Sequence, residues 1–410
     1  MMRLFLPAVL TFGLSLPTMA QDQGRAITGT LIYPERIALP SGSEVLVSVE
    51  GAFGSTLGET LFVTEGEQVP LAFALDVPAR LQGRVNALIR VDGQPSWIAQ
   101  DLRLAAGTEA ADLGEIRLAR ITPLAFATSF DCGGTALSFG ILEDKATLRV
   151  GTRDFEMQAA VAASGARYVA VGDDSTEFWS RGDRATVTVE GQVLAECVET
   201  VAETGPYRAR GNEPGWSVTL NETEIEIVAD YGALTRSAPR PAVQITPGAY
   251  MFDMPGITAR LTLEDRLCAD DATGMPYPHH AILDLDDRRL AGCGGDPASL
   301  LTGVDWKIAT VAEETVAEGS EAMLTFGADG RVWGSTGCNR FMGGYDLTGE
   351  GLGLGQMGVT MMACSEDLMT QERAVLDALA AVRRFDLSED GTLMLIGGEE
   401  DAALLSATRD

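Results

Sequence analysis

The sequence predicts a mostly β protein divided among several small domains, and three observations carry that expectation. Apolar residues alternate with polar ones along short runs: Val45, Val47 and Val49; Leu71, Phe73, Leu75 and Val77; Ala185, Val187 and Val189; Ile257, Ala259, Leu261 and Leu263. A period of two is the pattern of a strand with one buried face. The chain has 410 residues, enough for roughly two to four domains at about 100 to 200 residues each. Gly and Pro interrupt ladders and helices alike, and they cluster at Ile121-Thr122-Pro123, Glu203-Thr204-Gly205-Pro206 and Gly294-Gly295-Asp296-Pro297.

These joints separate segments 24–120, 125–200, 206–297 and 300–410, with no internal repeat and no low-complexity stretch. Helical spacing is convincing once, where Val375, Leu379 and Val382 follow an acidic start at Glu366 and Asp367. Residues 1–20 read as a secretory leader. Arg3 precedes an apolar run from Leu4 to Leu16, and Pro17-Thr18-Met19-Ala20 offers a cleavage site. A lipid anchor would need a cysteine just after the cut, but the first is Cys132. No other stretch reaches the ~20 apolar residues of a membrane helix. A soluble periplasmic protein that does not span the membrane is expected.

The balance of 59 acidic against 30 basic residues, a formal charge of -29, repels nucleic acid; its ordinary reading is solubility, and its sharper one is attraction to a cationic partner. Six cysteines in an oxidising compartment suggest three disulfides, with many connectivities open on count alone. The segments narrow this, because Cys132 and Cys197, Cys268 and Cys293, and Cys338 and Cys364 each fall within one of them. Their spacing does not suit a metal, since no CxxC occurs and the only histidines are the adjacent His279 and His280. Asp284, Asp286 and Asp287 alternate with Ala281, Leu283 and Leu285 as on a half-exposed strand. We expect neither metal nor cofactor.

The second segment carries Phe130-Asp131-Cys132-Gly133-Gly134, then Ala163-Ser164-Gly165-Ala166-Arg167-Tyr168, then Phe178-Trp179-Ser180-Arg181-Gly182-Asp183, and ends at Cys197. In that order these motifs resemble the membrane-bound inhibitors of C-type lysozyme. The resemblance implies a small antiparallel barrel closed by a Cys132–Cys197 disulfide, with two loops that enter the lysozyme cleft. A serine of the first loop and a lysine of the second reach the catalytic carboxylates in that family. Here the corresponding positions are Ser164 and Arg181, so an arginine stands where the family has lysine. Gly165, Tyr168 and Trp179 complete the expected binding set, the two aromatics as core or loop-bracing groups as readily as contacts. Read without the resemblance, Ser164-Gly165 is a turn and Arg181-Gly182-Asp183 a solvated hairpin tip.

The other segments have resemblances of their own. Ile27-Thr28-Gly29-Thr30-Leu31-Ile32-Tyr33 followed by Arg36-Ile37-Ala38-Leu39-Pro40 resembles the YbaY-like lipoprotein domain, which implies an immunoglobulin-like sandwich, here without the lipid-bearing cysteine. Segment 206–297, from Tyr207-Arg208-Ala209-Arg210-Gly211-Asn212-Glu213-Pro214-Gly215-Trp216 to Gly292-Cys293-Gly294-Gly295, is similar to an uncharacterised envelope domain. Gly337-Cys338-Asn339-Arg340-Phe341 and Thr360-Met361-Met362-Ala363-Cys364 resemble the META domain of a heat-inducible envelope protein, which implies a compact α+β fold.

Catalytic patterns fail their context. Gly353-Leu354-Gly355-Gln356-Met357-Gly358 fits GxGxxG but lacks a βαβ unit, and no GxSxG elbow accompanies the histidines. The resemblance of the second segment implies binding and inhibition of C-type lysozyme, and that rather than catalysis is the expected function. The alternative is a structural or stress-tolerance envelope protein without inhibitory activity. Oligomeric state is not legible.

Overall fold

The computed structural model describes residues 24–200, 205–388, 390–398 and 401–409. The leader expected at residues 1–20 lies outside the described residues. The rest is mostly β, and the alternating runs are strands whose apolar side faces inward. Glu44–Glu50 buries Val45, Val47 and Val49, and Leu71–Val77 buries Leu71, Phe73, Leu75 and Val77. The run from Ile257 differs at its start. Ile257 ends a 3₁₀ turn, Thr258 takes a left-handed conformation (φ 50°), and the strand begins at Ala259.

Residues 24–120 form two sheets. One joins Leu71–Val77, Arg25–Ile32 and Ala111–Arg117; the other has five strands from Thr56–Val63 to Ala119–Arg120. Their inner side chains share one core. Residues 128–199 make a nine-stranded antiparallel sheet that closes on itself because Asp173–Arg181 pairs with both Ala166–Ala170 and Arg184–Val189. Its interior is filled by Phe130, Leu137, Phe139, Leu148, Met157, Phe178 and Val187. The Phe139 and Phe178 rings stack at 4.0 Å. The Cys132–Cys197 disulfide lies among these side chains, and Cys268–Cys293 and Cys338–Cys364 are the other two bridges.

Residues 207–294 form another nine-stranded sheet, and residues 305–409 a curled one that carries the helix Glu366–Ala381. That helix buries Val375, Ala378 and Leu379. Val382 instead opens the strand Val382–Leu387 and pairs with Gly397, so the helical spacing read from the sequence overruns by one residue. The glycine-rich stretch 353–358 links two short strands, Leu352–Leu354 and Gly358–Val359, with no strand-turn-helix unit.

The cores do not follow the chain in simple order. Side chains of residues 24–120 and of 206–297 bury one continuous apolar cluster although residues 125–200 lie between them in sequence. Phe53 sits at the join, its ring 4.9 Å from Tyr207, 5.4 Å from Tyr250 and 5.2 Å from Phe252, all edge-on. Edge-to-face packing sets a positive ring rim against a negative face. Its left-handed backbone (φ 61°) costs about 1 kcal/mol or more, which these contacts offset. Polar bonds flank it: the Ala52 amide donates to Tyr250 Oη (3.0 Å), and the Gln82 amide and side chain donate to Asp265 (both 2.7 Å). The fourth segment adds to the third in the same way, since Cys268, Met275, Tyr277 and Cys293 pack with Trp306, Phe385 and their neighbours. Residues 130–197 keep a core of their own.

Candidate functional site

The two loops expected to carry binding meet at one rim of the closed sheet. The first, residues 161–165, connects Arg153–Ala160 to Ala166–Ala170; the second turns from Asp173–Arg181 into Arg184–Val189 at Gly182-Asp183. Strand pairing brings them together, with Ala166 opposite Ser180 and Arg167 opposite Trp179. Because side chains alternate across a strand, Phe178 points into the barrel while Glu177, Trp179 and Arg181 share its outer face.

On that outer face Trp179 holds both loops. Its indole N–H donates to the Ser164 carbonyl (2.8 Å), and the Arg181 guanidinium lies over its ring, 4.1 Å from the centroid. A cation stacked on an indole is attracted by the ring quadrupole, which orients the guanidinium without neutralising its charge. Gly165 is required twice: its φ is +73°, and a Cβ there would collide with the Ser180 carbonyl and Arg181 Cγ. Ser164, Gly165, Trp179 and Arg181 are thus contiguous. Tyr168 stands apart from them, with its ring tilted 4.9 Å from Phe139 and packed on the barrel core.

Electrostatics single out Arg181. Arg149, Arg153, Arg167 and Arg184 pair with Asp154, Glu190, Glu177 and Glu196. Arg181 has no carboxylate partner among the described residues, and it is exposed at the hairpin tip. The Arg167–Glu177 pair is bidentate (both bonds 2.8 Å), and the guanidinium holds the Glu177 carboxyl below the usual carboxylate range. Arg167 also donates to the Val161 carbonyl (3.5 Å), so the first loop is tied at one end by Arg167 and at the other by Trp179. The motif reading missed this brace. Its only signal was alternation, which sets Arg167, Glu177 and Trp179 on one outer face.

Family models match three stretches of the chain. Residues 130–195 match membrane-bound lysozyme-inhibitor of c-type lysozyme. The inhibitor match holds both loops. Residues 22–118 match the type III secretion system lipoprotein chaperone YscW, and residues 299–410 match the META domain. Inhibitor, chaperone and META types are not enzyme families, and together with the disulfides they point to an exported, envelope-associated protein. No curated protein matches the chain. Among solved structures, an alternative pilotin from the type II secretion system of Vibrio cholerae is 27% identical over 24% of this chain and 99% of its own, with a TM-score of 0.22. A protein from Burkholderia xenovorans solved by NMR is 28% identical over 28% of this chain and 88% of its own, with a TM-score of 0.24. At such TM-scores neither likeness carries an argument.

The sites set aside in sequence have partners of another kind. His279 is buried with Nδ1 3.0 Å from Tyr207 Oη, and His280 Nδ1 lies 3.0 Å from Glu264. Among the described residues no group of three or more His, Cys, Asp or Glu is arranged to hold a metal ion, and no helix is long and apolar enough to cross a membrane.

Proposed function

We propose that this chain inhibits C-type lysozyme, with residues 125–200 as the inhibitory module, and that Ser164 and Arg181 enter the active-site cleft. One observation supports the reading: the serine loop and the cation that the resemblance points to are fastened to the same indole, with the cation left unpaired. Lysozyme works with two carboxyl groups about 5 Å apart, one kept protonated by an apolar pocket. A guanidinium between them favours ionisation of that acid and so removes the proton it must donate. Arginine keeps the charge of the family's lysine and can bind carboxylates through two parallel hydrogen bonds. The net charge of -29 steers the whole chain toward a basic enzyme.

On this reading the protein is a periplasmic binding protein exported by the leader at residues 1–20, and segments 24–120, 206–297 and 300–410 are envelope modules that carry the inhibitor. Residual lysozyme activity against the purified full-length chain tests it. Arg181→Glu replaces attraction with repulsion at a partly dry contact, which costs about 2 to 5 kcal/mol, or some thirty-fold to several-thousand-fold in affinity. Arg208→Glu reverses an exposed charge outside the module and leaves inhibition near that of the parent. A parent chain that does not inhibit returns the protein to a structural or stress-tolerance role. Equal losses from both reversals would reduce the mechanism to general charge.

A further inference from the structure

Val161 is 93% exposed, more than any other valine, leucine or isoleucine among the described residues, where water makes an apolar group unfavourable. It opens the loop that ends in Ser164-Gly165. Its carbonyl is the one that Arg167 holds, and Arg167 is itself clamped by Glu177. Ala160 lies opposite Arg167, and Arg167 lies opposite Trp179. Val161 follows Ala160, which is two strands, about 10 Å, from Trp179, so its loop opens on the same rim as the Trp179–Arg181 stack. An exposed methyl pair on a braced loop, beside an unpaired cation, is a surface shaped for an occupant that is apolar next to anionic.

We infer that Val161 is a second anchor of the inhibitory surface, packing against the apolar wall beside the lysozyme carboxylates. The inference rests on the lysozyme-inhibitor reading and adds to it the chemistry of the neighbouring contact. A general acid that stays protonated near neutral pH needs an apolar wall within contact of its carboxyl. Any group that delivers a cation to that carboxyl brings its own neighbours against the wall. Arg181 supplies the charge and Val161 supplies the apolar surface. The two contributions differ in kind: the charge acts at a distance and is screened by salt, whereas the valine acts only on contact and is not. Discrimination among lysozymes would then follow the shape of that wall, since the carboxylates are common to all.

Titration calorimetry of the full-length chain with a purified C-type lysozyme, at low and at moderate salt, tests this. Val161→Ala removes two methyl groups from the contact and weakens binding about ten-fold at both salt concentrations. It also makes the heat-capacity change of binding less negative, which a loss of charge would not do. Val161→Leu binds within about three-fold of the parent, and melting temperatures stay level because the side chain touches little in the free protein. Val193→Ala, at a valine 66% exposed beside Thr188 and remote from the hairpin tip, binds as the parent does. If Arg181→Ala loses binding while Val161→Ala retains it, the valine anchor is wrong and the inhibitor reading stands. Equal weakening by Val193→Ala overturns the anchor as well, and a parent that does not bind overturns both.

Discussion

Trp179 does at residue scale what neither loop does alone, because one ring fixes a carbonyl through its edge and a cation through its face. Holding both before the partner arrives lowers the ordering cost of association. Removing it with Trp179→Ala forfeits a hydrogen bond of about 1 kcal/mol and a cation–π contact of about 0.5 to 1 kcal/mol. Inhibition constants should rise roughly ten-fold, and Trp179→Phe, which keeps the stack and loses the N–H, should fall between. Steady-state inhibition assays of the three proteins order them, and a Phe variant weaker than the Ala variant would reverse the argument. Gly165 is held to a harsher standard. Gly165→Ala meets both an unfavourable φ and a collision with Ser180, so the loop shifts and inhibition weakens more than in Trp179→Phe although the barrel still folds.

At the scale of elements, the hairpin pairing sets which side chains share one outer face. Glu177 and Arg167 sit on the strands that carry the loops, and their ion pair gives the surface a pH window. Glu177 titrates lower in the folded chain than in the unfolded one, so the pair's contribution is whole above the ordinary glutamate value of about 4.3 and fades as pH falls below it. Binding to an immobilised lysozyme should therefore be insensitive to this pair from pH 8 down to 5. Glu177→Gln should weaken it at neutral pH, and a Gln variant indistinguishable from the parent there would remove the brace from the mechanism. The Cys132–Cys197 bridge closes a separation of 65 residues. In the chain-entropy model that is worth about 4 kcal/mol, so Cys132→Ala/Cys197→Ala should melt the barrel well before the other sheets. Calorimetry of the full chain would resolve it as a separate early transition.

On the scale of the whole molecule, the chain is a composite base and a barrel with a core of its own. Residues 24–120 and 206–297 pack around Phe53 and share their core, residues 305–409 add to the third segment, and residues 130–197 keep a core to themselves. A fragment of residues 125–200 should therefore fold with its disulfide and inhibit as the full chain does. A fragment of residues 24–120 alone would expose Phe53 and aggregate. Phe53→Ala should lower the stability of the base by roughly 2 kcal/mol, less than a fully buried phenylalanine because Phe53 is half-buried, and leave inhibition intact. His279 adds a pH signature to the same joint. Burial pushes its pKa down to about 4, so between about 6.5 and 4 the unfolded chain gains a proton that the folded one refuses. Stability of the base should fall across that window, more steeply in the parent than in His279→Gln. Comparing the two isolates the imidazole from Asp265, whose buried carboxyl is shifted upward and acts with the opposite sign. If urea titrations at both ends of the window gave the parent and His279→Gln the same loss of stability, the buried imidazole would not be the source.

Sequence alone determined what is local or additive. Alternation determined the strands, because which face of a strand is buried is written in its apolar spacing, and Val45 to Val49 or Leu71 to Val77 need no partner to be recognised. Ordered motifs flanked by Cys132 and Cys197 singled out the segment that the lysozyme-inhibitor model matches, with Ser164 and Arg181 at its two loops. Only the tertiary structure decided matters of pairing between distant residues. That Trp179 binds Ser164, that Arg167 reaches both Glu177 and Val161, and that Tyr168 leans inward on Phe139 all depend on which strands lie side by side. The shared core around Phe53 was invisible for the same reason. Its members come from both sides of an intervening barrel, and apolar spacing states that a face is buried but not against what.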